Sequence, residues 1–346
     1  MKKNNRLVYI LILILSVWLM ILSFRPNGSV SRQEIINEYN VSGFSTDFTR
    51  VVEDNSSSIV SISADGTVLS GFIYRQEGDK VYLLSAYHGI QDAGSITVFF
   101  GSSYSVNATV TGYDIYTDLA VLELDCPYQV SPVRMGDATL LKKGEFVICI
   151  GTPVSLDYAG SVQLGMVANE RLTVENSISA DYQRLDYYLD VIELSSALIP
   201  GYSGGPLLNM NGEVVGMIAM SLDEEICFAL TANEVRMVAD RIIAAQEGTK
   251  TDFGIKGVYI KEMANYEKAN LNLDIQTISG LYVQRVLDDS LAEIAGVKSG
   301  DVVVKINDIV LDGMNEYLQV SYQPYETYSF EVIRNNEALT LSIGND

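Results

Sequence analysis

Histidine is almost missing: the 346-residue chain has one, His88. Any chemistry that needs an imidazole therefore has one place to happen. Cysteine is scarce too. Cys126, Cys149 and Cys227 are three in number and far apart, which excludes a disulfide-stapled scaffold. With one histidine and no C-x-x-C pair a zinc site is excluded, and no metal or organic cofactor is implied. Positive charge is in deficit, 23 Lys and Arg against 44 Asp and Glu, for a net charge of −21. Such a chain has little with which to displace counterions from phosphates, so nucleic acid is excluded as a partner. Internal repeats and low-complexity tracts are absent. What the chain does have is 48% hydrophobic residues and length for about two domains at roughly 150 residues each.

The longest apolar run is LVYILILILSVWLMILSF, residues 7–24. As a helix rising about 1.5 Å per residue it would approach the thickness of a bilayer core. Lys2, Lys3 and Arg6 precede it, which by the positive-inside rule keeps that end cytoplasmic. The run exceeds the ~7–15 residues of a signal-peptide core, and SFRPNGS offers no A-x-A-like cleavage site. A retained single-pass anchor is therefore favoured over a cleaved signal. The expectation is a cytoplasmic N-terminus and transmembrane helix over 1–27, a polar stalk over 28–44, and a cell-membrane protein whose remainder is extracytoplasmic.

From about 57 to 230 the pattern is short β-type runs between Gly, Asp and Asn: SIVSIS (58–63), KVYLLSA (80–86), SITVFF (95–100), FVICIG (146–151) and GEVVGMIAM (212–220). Runs of this length without regular intervening helices point to a mainly β barrel or sandwich. A helix follows, started by a Thr231/Glu234 capping box, with Val235, Val238 and Ile242 on one face. EGTKTD (247–252) reads as a linker. The rest is a second unit with strands, short helices and a final hairpin. One of its helices runs from a Ser290/Glu293 box to a stop at Gly296.

Three strings carry possible chemistry: SAYHGI around His88, YTDLAVLEL around Asp118 and PGYSGGPL around Ser203. A serine hydroxyl is a poor nucleophile until a base takes its proton, and an imidazole titrating near 6.5 suits that task. A carboxylate on the far ring nitrogen fixes the tautomer and stabilises the imidazolium. Glycines around Ser203 let the backbone turn its N–H groups toward an oxyanion. GYSGG also satisfies the G-x-S-x-G nucleophile elbow, but that class places its histidine after the serine. Here the order is His, Asp, Ser, as in the chymotrypsin type.

Over roughly residues 45–344 the sequence resembles the HtrA/Deg-type serine proteases. SGFIY (70–74), the histidine string, TDLAVLEL (117–124), PGYSGGPL (200–207), NGEVVGM (211–217) and ICFAL (226–230) stand in that family's order. The resemblance implies a chymotrypsin-like double β-barrel protease domain over 45–248, followed by a PDZ domain over 249–346. It makes His88 the general base, Asp118 its orienting acid and Ser203 the nucleophile, with the N–H groups of Gly201, Tyr202 and Ser203 as the oxyanion hole. It places the primary specificity pocket at Leu198, Ile218, Ala219, Met220, Ser221 and Phe228, which suits small or medium aliphatic P1 residues. Two positions depart from the family: Tyr202 stands where Asn is usual, and Gly89 where Val is common. The latter would loosen packing under the imidazole.

In the second unit Ile255, Lys256, Gly257 and Val258 match the X-Φ-G-Φ loop with which PDZ domains hold a peptide carboxylate, Lys256 standing in a usually apolar place. The implied function is a membrane-tethered endopeptidase for unfolded or misassembled proteins, regulated by its PDZ domain. The alternative is a catalytically silent adaptor that captures exposed C-termini. Family resemblance also implies a homotrimer, with Tyr39, Phe44 and Phe48 as contacts. SLDEE (221–225) reads as a solvated loop tip, and Cys227 as a buried strand residue.

Overall fold

Short β-branched and aromatic runs between turn residues should give strands, and those at 58–63, 80–86 and 95–100 do so. The computed structural model describes residues 13–18, 44–101, 103–180, 183–195, 200–222, 226–244, 250–271, 279–323 and 325–344. The chain divides into two compact units, Met1–Thr46 and Asp47–Asp346. Helix α1 (Phe44–Asn55) leads into β1 (Ile59–Ala64), β2 (Thr67–Glu77), β3 (Lys80–Ala86), β4 (Ile96–Phe100), β5 (Tyr104–Asp114) and β6 (Leu119–Asp125). These six strands close a barrel in the order β1-β2-β3-β6-β5-β4. Asp65 and Gly66, at φ 47° and 93°, supply the left-handed pair that the two-residue β1–β2 hairpin requires. Val60, Ile62, Leu69, Leu83, Val98 and Leu122 fill the interior.

A second sheet follows: β7 (Arg134–Met135), β8 (Phe146–Gly151), β9 (Ser161–Ala180), β10 (Gln183–Leu194), β11 (Pro206–Leu208), β12 (Glu213–Leu222) and β13 (Ile226–Thr231). It is seven-stranded, in the order β11-β8-β9-β10-β13-β12-β7, and the additional β11–β12 pairing returns it on itself, so that all but β7 stand in a second ring. Its strands are of unequal length. β9 has 20 residues and β10 has 12, against three in β11. Much of the β9–β10 hairpin therefore extends past the ring, its two strands paired with each other.

Helix α2 (Ala232–Ile243) starts where the sequence places it, with Glu234 N donating to Thr231 Oγ1 at 3.3 Å. The reciprocal half of the capping box does not form. Glu234 is fully buried, and its carboxylate pairs instead with Lys250 and accepts from Tyr322 Oη at 3.4 Å. The stretch read as a linker thus carries a buried cation; 247–249 lie outside the described residues. Removing one member of a buried pair strands the other charge, which typically costs about 3–5 kcal/mol. Lys250→Ala is expected to lose stability on that scale in urea unfolding. A loss below about 1 kcal/mol would mean that Glu234 is hydrated in solution.

The third sheet joins β14 (Ile255–Tyr259), β15 (Leu281–Val286), β16 (Val302–Ile306), β18 (Thr327–Arg334) and β19 (Glu337–Gly344) in that order, with β17 (Ile309–Val310) on β16. Helices α3 (Asn265–Asn270), α4 (Leu291–Ala295) and α5 (Met314–Ser321) accompany it. Helix α4 opens with Glu293 N on Ser290 Oγ at 3.2 Å and stops at Gly296 in the left-handed region, φ 93°. Phe253 sits edge-on to Tyr317, Tyr328 and Phe330 in its core.

The anchor requires correction. Among the described residues no helix is long and apolar enough to cross a membrane. This overturns the transmembrane helix expected over 7–24, and with it the membrane partner and single-pass topology. The helical stretch described there is 13–18, whereas a bilayer core needs about 20 residues. Residues 7–12, 19–24 and 28–43 lie outside the described residues, as does Tyr39. Phe44 opens α1, and Phe48 packs edge-on to Phe146 of its own chain at 6.0 Å.

Candidate active site

Strand pairing brings the first two site residues together. Ala86 at the end of β3 lies opposite Leu119 at the start of β6, so Asp118 meets the turn that carries His88. That turn is held by the Tyr87 carbonyl, which accepts from Ile90 N and Gln91 N at 2.9 and 3.0 Å. Asp118 has φ 54°, a left-handed conformation that costs most residues roughly 1–2 kcal/mol but that Asp tolerates. Three bonds to the histidine turn offset it. Tyr87 N donates to Asp118 O at 2.8 Å, His88 N to Oδ1 at 2.7 Å, and His88 Nδ1 to Oδ2 at 2.5 Å. A carboxylate only accepts, so the ring proton sits on Nδ1 and the Nε2 lone pair is left for another donor. Below the turn Leu69 fills the space a side chain at residue 89 would take: a Cβ there would lie 2.5 Å from Leu69 Cδ2. The packing under the imidazole is therefore closed, not loose.

Ser203 comes from the second sheet, on the loop that enters β11. Two glycines shape it. Gly201 has φ 105°, and a Cβ there would lie 2.5 Å from Thr152 O; Gly204 has φ 80°, and a Cβ would lie 2.5 Å from Ala86 N and from Ser70 O. Only glycine accommodates both the torsion and the contact. The second approach sets the Ser203–Gly204 backbone against the end of β3, just ahead of His88. Gly204 N donates to Ile218 O at 2.8 Å and Ile218 N to Gly205 O at 2.9 Å, which ties the loop to β12. Among the described residues neither Ser203 Oγ nor His88 Nε2 has a hydrogen-bond partner, and the N–H groups of Gly201, Tyr202 and Ser203 have no acceptor. Tyr202 is buried, its ring within 2.8 Å of where a Gly151 side chain would begin. Glycine at 151 is what admits the larger residue at 202.

Sequence reasoning did not single out Ser70 or Thr152. Ser70 N donates to Ser203 O at 3.1 Å and Ser70 Oγ to Gly201 O at 2.6 Å, while Thr152 N donates to Ser70 Oγ at 2.8 Å. The one available signal was the small Ser-Gly pair at the head of SGFIY, flanked by apolar residues on both sides, Val68 and Leu69 before it and Phe72 and Ile73 after.

The expected specificity pocket is only partly on view. Leu198 lies outside the described residues, and Met220 and Ser221 lie on β12. Ile218 packs with Tyr202 and Cys149 in one cluster, whereas Ala219 and Phe228 belong to another. Of the carboxylate loop, Ile255, Lys256, Gly257 and Val258 form β14 itself, paired with β15 and bulged between Lys256 and Gly257. The β9–β10 hairpin packs beside it: the Arg171 guanidinium lies 4.3 Å over the Tyr259 ring and bonds Asp190 at 2.8 Å and Glu262 at 3.0 Å. All three cysteines are free and buried, and burial pushes the Cys227 thiol up to about 12, so it is inert.

The hydrogen bond from Asp118 raises the His88 pKa above its ordinary 6.5; partial burial opposes this and the carboxylate charge reinforces it. A histidine can act as a base only as the neutral ring, so with His88 in that role a raised pKa moves the loss of activity to higher pH. The acid limb of kcat/KM is expected to have its midpoint above 6.5. Stability runs the other way: the ion pair contributes fully below the ordinary pKa and its contribution fades as pH rises through the raised one. Paired pH–rate and pH–Tm series test this. A midpoint below 6.5 would contradict the geometry.

Comparison with known proteins agrees with the architecture. Residues 69–217 match the family model described as a trypsin-like peptidase domain. Serine protease Do-like HtrA of Bacillus subtilis (strain 168) is 30% identical over 286 residues, covering 80% of this chain and 63% of the relative. Serine protease Do-like HtrB of the same organism is 30% identical over 285 residues, covering 79% and 61%. The chain thus spans less than two thirds of the length of these two relatives. Among solved structures, the HtrA-type protease AlgW with tripeptide shares the fold, with a TM-score of 0.59 at 22% identity over 86% of this chain and 96% of that one. Residues 69–217 are thus a trypsin-like peptidase domain.

Proposed function

We propose that the protein is a serine endopeptidase that cleaves unfolded or misassembled polypeptides, with Ser203 as nucleophile, His88 as general base and Asp118 as the group that orients and stabilises the imidazolium. The observation that carries this reading is the His88–Asp118 pair, its Nε2 unengaged, in the barrel against which the Ser203 loop packs. His88 takes the hydroxyl proton as Ser203 Oγ attacks the scissile carbonyl, and the negative charge collects on the carbonyl oxygen. The N–H groups of Gly201, Tyr202 and Ser203 receive that charge. The ring then gives its proton to the departing amine, leaving an acyl-enzyme. Water, deprotonated by the same ring, attacks the ester and restores Ser203.

Why unfolded chains: an endopeptidase of this type needs an extended strand of substrate, which a folded protein rarely presents. The third sheet is read as a PDZ domain that regulates the enzyme. In its support, the Arg171–Asp190 pair joins the β9–β10 hairpin to Tyr259 and Glu262 beside β14. A peptide added at β14 would shift activity only through different affinities for the packed and released arrangements. The test is hydrolysis of one protein in its denatured and native forms by the wild type and by Ser203→Ala. Selective cleavage of the denatured form, lost in the variant, is expected. Peptide binding without any wild-type cleavage would favour the silent adaptor instead.

A further inference from the structure

Two peptide planes decide where the oxyanion-binding N–H groups point. A trans peptide is planar, so its N–H points opposite to its C=O. The Pro200 carbonyl accepts from Val154 N at 3.0 Å, which aims Gly201 N–H the other way. The Gly201 carbonyl accepts from Ser70 Oγ at 2.6 Å, which does the same for Tyr202 N–H.

We propose that Ser70 is a positioning residue for this oxyanion loop, a role that rests on the serine-endopeptidase reading above. Its hydroxyl is directional. Thr152 N donates to Ser70 Oγ at 2.8 Å, so the lone pair facing Thr152 is occupied and the hydroxyl proton is delivered to Gly201 O. Thr152 is itself fixed, its hydroxyl 2.5 Å from that of Ser61. The backbone of Ser70 grips the other end of the loop, donating to Ser203 O at 3.1 Å, and its own carbonyl accepts from Ser85 Oγ at 2.8 Å. Ser70 has no solvent exposure, so water cannot replace these bonds. Glycine at 151 leaves the room: a Cβ there would lie 2.4 Å from Ser70 Oγ.

The location explains the need. His88 and Asp118 belong to the closed barrel, Ser203 and its loop to the second sheet. Ser70 stands on β2 of the barrel and bonds the loop at both Gly201 and Ser203. It pins one half of the site to the other. Misplacing a reacting group by about 1 Å can cost on the order of a hundredfold in rate.

The test compares Ser70→Ala, Ser70→Cys and Thr231→Ala. The substrate is a fluorogenic peptide carrying a cleavage site mapped in the denatured protein. A peptidyl boronate of the same sequence reports the tetrahedral adduct. Ser70→Ala is expected to lower kcat about tenfold to a hundredfold with KM nearly unchanged, and to weaken boronate binding in parallel. The acid limb set by His88 should stay in place. Ser70→Cys, close in volume but a weak donor, should resemble Ser70→Ala. Thr231→Ala also removes a buried, hydrogen-bonded hydroxyl, at the start of α2, and should lower Tm comparably while leaving kcat within about threefold. Wild-type kcat in a folded Ser70→Ala or Ser70→Cys overturns the proposal, as does boronate affinity that fails to follow kcat. Failure of both Ser70 variants to fold also overturns it, because Ser70 would then serve folding. If the wild type neither cleaves the peptide nor forms a boronate adduct at Ser203, the endopeptidase reading falls first and this role with it.

Discussion

Replacing Ser203 with alanine is expected to yield a folded protein that binds substrate and does not turn it over. In serine peptidases the loss on removing the nucleophile is about 10⁴- to 10⁶-fold in kcat, which at 1.36 kcal/mol per decade is about 5–8 kcal/mol of barrier. The fold should tolerate the change because nothing else uses the hydroxyl. Ser203 is half-buried, and its Oγ bonds no described residue. The bonds that hold the loop come from its backbone: Ser203 O with Ser70 N, and Gly204 N with Ile218 O. Stability within about 0.5 kcal/mol of wild type is therefore expected. The measurement is release of new N-termini from a denatured protein, beside calorimetry of the same samples. A Ser203→Ala protein that still cleaves at more than a hundredth of the wild-type rate would remove the serine from the chemistry.

The parts of the fold that were legible in sequence are those set by neighbours along the chain. The strand runs at 80–86 and 146–151 became β3 and β8 because short β-branched and aromatic runs suit a pleated strand, here buried along nearly all its length. Thr231 and Ser290 start helices because their hydroxyls reach an N–H three residues on. The unreadable parts depend on distant partners. The second sheet closes because the short β11 finds both β8 and β12, and no local pattern records that. Glu234 looks like a capping residue until Lys250 comes to it from beyond α2. Gly89 looks like a packing defect until Leu69 occupies the space. At the site, the single histidine and the His–Asp–Ser order narrowed the search to three side chains. The groups that aim the loop stayed hidden, since Ser70 acts by geometry across two sheets. The apolar run over 7–24 carried composition enough for a bilayer, yet among the described residues no helix is long and apolar enough to cross one.

Asp118→Asn is the sharpest test of what the carboxylate does, because the shapes nearly coincide. Asparagine accepts the left-handed torsion at 118, φ 54° in the structure, as readily as aspartate. Its amide oxygen can still accept from His88 N, now a 2.7 Å bond to Oδ1. The other arm changes from acceptor to donor. An NH₂ group facing Nδ1 forces that nitrogen to accept, so the ring proton moves to Nε2, the atom that must be bare to take the Ser203 proton. The imidazolium formed on attack also loses its counter-charge. Together these are expected to lower kcat about 10⁴-fold with the fold intact. The pH profile separates the two contributions. With the carboxylate gone the largest cause of the raised His88 pKa goes too, and the acid limb should fall back toward 6.5. Asp118→Ala would add a cavity and free the histidine turn, confounding charge with position. If Asp118→Asn keeps a tenth of the activity and the same acid limb, the 2.5 Å contact is scaffolding, and some other group must neutralise the ring.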